Sequence, residues 1–63
     1  MLPQELDGVT LLVDVPLTGI KAGDGGVILA IRRADDGRLI YTVELDGADG
    51  RKVDLDSSQF GLD

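Results

Sequence analysis

Apolar and polar residues alternate along most of this chain with the two-residue period of a half-buried strand. Val9, Leu11, Val13 and Val15 fall on one face, with Thr10, Leu12 and Asp14 on the other. The alternation predicts a first strand over residues 9–15. Pro16 ends it, because proline has no amide proton to give a ladder. A second strand is expected from Gly26 to about Arg33, with Val27, Leu29 and Ile31 on one face and Ile28, Ala30 and Arg32 on the other. Both faces are apolar at first, which suits a long, curved strand that serves two sides of a small barrel. Arg38 to Leu45 predicts a third strand with Tyr41, Val43 and Leu45 inward and Ile40, Thr42 and Glu44 outward. Arg51 to Leu55 predicts a fourth, with Val53 and Leu55 inward, and Gly61-Leu62 a short fifth.

The connections are equally marked. Residues 16–26 form a long first loop, in which Leu17 and Ile20 are expected to fold back over one mouth of the sheet, since exposing both would forgo burial. Gly23 and Asp24 suit a tight turn. Asp35-Asp36-Gly37 is a hairpin signal, and Asp46-Gly47-Ala48-Asp49-Gly50 is a second. Asp56-Ser57-Ser58-Gln59-Phe60 reads as a single tight turn capped by Asp56 or Ser57. Strand, long loop, strand, hairpin, strand, hairpin, strand, single turn and strand is the plan of an all-β, five-stranded SH3-like barrel. Residues 1–63 then make one domain, with 1–8 as an N-terminal arm. The expected core is Leu11, Val13, Leu29, Ile31, Tyr41, Val43, Val53, Leu55 and Phe60. An open, strongly bent antiparallel sheet is the alternative.

Composition narrows the function. At 63 residues, the chain buries only about 60% of its unfolded surface, which is marginal for a lone domain. It has no cysteine and no histidine, so no disulfide staples it and general-base chemistry would fall to Asp, Glu, Tyr or Lys. Small unstapled scaffolds often gain stability from a partner or from oligomerisation. Twelve acidic residues against six basic ones give a net charge of -6, which repels phosphate backbones and anionic membranes and suits a basic protein partner. Met1 to Glu5 lacks the basic and apolar regions of a signal peptide, so a cytoplasmic location is expected.

The residues Ile20, Gly23, Asp24, Gly26, Ile28, Leu29, Ile31, Tyr41, Val43, Glu44, Leu45, Gly50, Phe60 and Leu62 carry a resemblance. From Val9 onward the chain resembles a family of short bacterial proteins of unknown function built on an SH3-like barrel. The Gly23–Val27 segment is also similar to the KOW motif of ribosomal and transcription proteins, although this chain is acidic and has no basic aromatic face. What the resemblance implies is a non-enzymatic barrel that accompanies a toxin-like or other partner protein.

Candidate chemistry is sparse. Asp46 and Asp49 in a glycine-rich turn lack the third ligand and the terminal glutamate of a calcium loop. Gly23-Asp24-Gly25-Gly26 precedes a strand rather than a helix, and Asp24 would repel a phosphate. No catalytic, metal or cofactor residue is assigned, and no enzyme is expected. The expectation is a protein-binding barrel, an antitoxin, an immunity protein or an accessory subunit. Its contacts would be the acidic turns Asp35, Asp36, Asp46 and Asp49 and an apolar patch of Leu12, Ile28 and Ile40, unless curvature buries those three. A homo-oligomer and a nucleic-acid module using Arg32, Arg33, Arg38, Arg51 and Lys52 are the competing readings; the absence of a stacking platform counts against the latter.

Overall fold

A computed structural model describes residues 2–47 and 50–63. Five strands occur in order: β1 (Gly8–Leu11), β2 (Gly25–Arg33), β3 (Leu39–Leu45), β4 (Lys52–Leu55) and β5 (Phe60–Leu62). They form one antiparallel sheet in the order β4-β3-β2-β1-β5. The sheet is not closed, so β4 and β5 are its two edges.

Strand β3 follows the alternation: Tyr41, Val43 and Leu45 are buried, with half-buried Ile40, Thr42 and Glu44 between them. Strand β2 does not. Ile28 pairs with Val43, and the next pair is Ala30 with Thr42, which leaves Leu29 as an extra residue in a β-bulge. A bulge shifts the side-chain phase by one. Ile28 and Ile31 therefore share the inner face, opposite Val43 and Tyr41. The expected core place of Leu29 is corrected accordingly: Ile28 is fully buried, while Leu29 is half-buried.

The expected first strand is too long. β1 stops at Leu11, because both of its neighbours run out there: Thr10 faces Gly25 at the start of β2 and Leu11 faces Phe60 at the start of β5. Val13, expected in the core, is exposed. The chain returns through an isolated bridge between Val15 and Ile20.

The core is Val9, Leu11, Ile20, Ile28, Tyr41, Val43, Leu45, Leu55 and Phe60, with Val15, Ile31 and Val53 packed against it. Tyr41 and Phe60 meet edge to face, centroids 5.2 Å apart at 76°, the arrangement that aromatic quadrupoles favour. Gly26 lets the strands close up. A methyl group there would lie 2.6 Å from the Glu44 carbonyl oxygen and 2.8 Å from Val43 Cγ1. The N-terminal arm joins the sheet at the bulge, where the Leu6 amide donates to Ile28 O at 2.7 Å and the Ile28 amide donates to Asp7 O at 3.0 Å.

Candidate functional site

The apolar patch expected from Leu12, Ile28 and Ile40 does not form. Ile28 lies inside the sheet with no exposed surface, and the bulge at Leu29 is the reason. Ile40 lies on the opposite face, paired with Arg32, and Leu12 is exposed on the bend after β1.

The acidic turns are also separate. Asp35 and Asp36 precede β3 and Asp46 follows it. Seven residues of β3 at about 3.3 Å each hold the two turns roughly 20 Å apart. Asp36 is engaged locally: its Oδ2 accepts from Arg38 Nε at 2.7 Å and its Oδ1 from the Arg38 amide at 3.0 Å. The backbone hydrogen bond from Arg38, reinforced by that side chain's charge, holds the Asp36 carboxyl below its ordinary value. Asp49 lies outside the described residues.

All four arginines are engaged within the molecule. Arg32 donates to Asp54 at 2.9 Å and to Thr42 at 3.3 Å, and the Thr42 hydroxyl donates to the other Asp54 oxygen at 2.8 Å. The Arg32 hydrogen bond, then that of Thr42, depresses the Asp54 carboxyl, and Asp54 in return raises Arg32. Arg33 donates to Gly37 O within its own hairpin. Arg51 donates to Thr18 O at 2.6 Å, and Lys52 stands opposite Glu44 in the β3–β4 ladder. Arg38 and Arg51 belong to opposite ends of β3, so the five cations are not gathered into one patch.

Two surfaces stand out among the described residues, and the sequence pattern pointed to neither. The first is the tip of the first loop. Ile20 turns inward as expected, but Leu17 is fully exposed, at 106% of its reference area, and adopts a left-handed φ of 68°. Hydrogen bonds hold the loop around it. Val15 N donates to Ile20 O, the Thr18 hydroxyl donates to Val15 O, and Ile20 N donates to the Thr18 hydroxyl. Arg51 holds the Thr18 carbonyl and the Asp14 carboxylate accepts from the Ala22 amide. Exposed Leu12 and Val13 lie on the same excursion from the sheet.

The second surface is an open groove of about 480 Å³ lined by Leu2, Pro3, Arg38, Leu39, Tyr41, Asp56, Ser57 and Ser58. Leu39 shares the inner face with Tyr41, but β4 ends opposite Tyr41 at Leu55, so no strand covers it. Asp56 begins the turn that forms the other wall: its Oδ1 accepts from the Ser58 amide and hydroxyl. Those Ser58 hydrogen bonds, side chain first, hold the Asp56 carboxyl low, and the Arg38 charge adds to the effect. The one available signal was Asp56-Ser57-Ser58 itself, a capped turn two residues after an inward strand residue.

Among the described residues, no three carboxylates converge in a way that would hold a metal ion. No protein-family model, curated protein or solved structure matches the chain.

Proposed function

We propose that this chain is a small non-catalytic protein-binding module of the SH3-like barrel type. The strand order, the bulged second strand, the long first loop and the two hairpins support that reading of the fold. The observation that carries the function is Leu17. A left-handed φ on a leucine costs about 1–2 kcal/mol, and full exposure of its side chain gives up burial as well. Such positions persist where surrounding structure over-determines them, and they cluster at recognition sites. Here five hydrogen bonds fix the loop around a side chain that touches nothing in its own fold.

A net charge of -6 steers such a module toward a basic protein. An antitoxin, immunity or accessory role in the cytoplasm fits that pairing. The nucleic-acid reading is the weaker one, because the hairpin arginines are bonded to Asp54, Gly37 and Asp36. The test is co-purification from the native host at native expression. Recovery of one basic protein in stoichiometric amount supports the proposal. A lone monomer on sizing, with nothing retained, counts against it.

A further inference from the structure

The groove at the far end of β3 has a chemistry of its own, and the inference drawn from it rests on the protein-binding reading above. Its floor is an uncovered end of the core: Leu39 and Tyr41 on the inner face of β3, with Leu2 and Pro3 of the arm across from them. It is a groove of about 480 Å³, open to solvent rather than enclosed. Arg38 and Asp56 both line it; Arg38 is held by Asp36 through a 2.7 Å ion pair and also acts on Asp56, whose carboxylate accepts hydrogen bonds from Ser58. With Asp36 counted beside Arg38, this end of the molecule carries two carboxylates to one cation along apolar walls.

We propose that this groove receives a short segment of the basic partner that carries an apolar side chain next to a lysine or arginine. The apolar side chain packs on Leu39 and Tyr41, and the cation meets Asp56. Leu17 belongs to the other end of the molecule, where its loop is tied to Arg51. The two surfaces are therefore separable by mutation.

The test is a titration of the ¹⁵N-labelled full chain with a capped peptide of alternating leucine and arginine. A matched peptide of leucine and glutamate is the control. Amide shifts centred on Leu39, Tyr41, Ser57 and Ser58 are expected for the basic peptide only. Asp56→Asn keeps an oxygen to accept from Ser58 and removes the charge. It should weaken binding about five-fold, the size expected of a half-exposed ion pair. Ser57→Lys places a repelling cation at an exposed position and should weaken binding similarly without moving the melting temperature. Equal binding of both peptides, no shifts at millimolar peptide, or unchanged affinity in both variants overturns the proposal. If the co-purified partner is retained equally by Ser57→Lys, the groove is not its site although the chain still binds protein. If no partner is recovered at all, the broader reading fails instead.

Discussion

Gly26→Ala offers a direct probe of how the sheet is packed. Gly26 is buried and pairs with Val9 on one side and Leu45 on the other. Its added methyl would sit 2.6 Å from a backbone oxygen of β3 and 2.8 Å from Val43 Cγ1, inside the 3.0 Å that Cβ atoms do not cross. Glu44 O cannot swing aside like a side chain, so β2 and β3 must part. Overpacking of this kind costs about 1–3 kcal/mol, and a weakened ladder hydrogen bond adds about 1 kcal/mol. The alanine recovers about 0.4–1 kcal/mol by restricting the unfolded chain. The net loss is about 1–3.5 kcal/mol. A domain of this size holds roughly 3–9 kcal/mol in total, and each kcal/mol moves the melting point by about 4–8 °C.

Urea denaturation followed by circular dichroism reads the loss as a lower midpoint at an unchanged slope. Two internal controls grade the effect. At Gly25 the nearest atoms to the methyl would be the side-chain Asp46 Oδ2 at 3.1 Å and Val9 O at 3.8 Å, and at Gly61 Leu12 Cδ2 at 3.8 Å. The expected order of damage is Gly26, then Gly25, then Gly61. A Gly26→Ala protein as stable as the Gly61→Ala protein would refute the close approach of β2 to β3.

Three further predictions address the core, the strained loop and the surface carboxylates. Ile28→Ala should cost about 2–5 kcal/mol as a buried truncation, whereas Leu12→Ala should stay within about 0.5 kcal/mol; chemical denaturation of both reverses the assignment if Leu12 is the costly one. Leu17→Gly should raise the melting temperature by a few degrees, since relief of about 1–2 kcal/mol of left-handed strain exceeds the glycine entropy penalty of about 0.5–1 kcal/mol; a drop on calorimetry contradicts the strain. Asp36, Asp54 and Asp56 all have carboxyls held below the ordinary value in the folded chain. The unfolded chain therefore takes up protons first as pH falls below about 5, and the stability these groups confer is full above that and lost as acid reaches the folded carboxyls. Asp54→Asn should flatten this acid limb, and a variant with the wild-type limb would show that the Arg32–Thr42–Asp54 network contributes nothing to it.

The strands with strict alternation were legible in the sequence. β3 and β4 fall where Tyr41, Val43 and Leu55 place them, because each has one apolar face and register is then fixed by burial; β5 begins at Phe60, which the pattern put in the preceding turn. The span of β2 was legible too but its inward face was not, since Val27, Ile28, Leu29 and Ile31 supply apolar residues to both faces and periodicity cannot locate a bulge between them. The same ambiguity put Ile28 on a surface patch. Ile20 and Leu17 are both aliphatic residues of one loop, and only the backbone geometry around Thr18 sends one in and the other out. The groove was out of reach because its walls come from Leu2, Leu39 and Asp56, remote in sequence and joined only by the way β3 outruns β4.

The central proposal is that a partner protein is recognised through the preformed apolar loop that carries Leu17. Native mass spectrometry of the tagged chain recovered from its host, run beside a Leu17→Ser variant, tests it most directly. The account predicts a defined complex with a basic protein for the wild type and free, folded chain for the variant. A complex of equal abundance in both, or bare monomer in both, would contradict it.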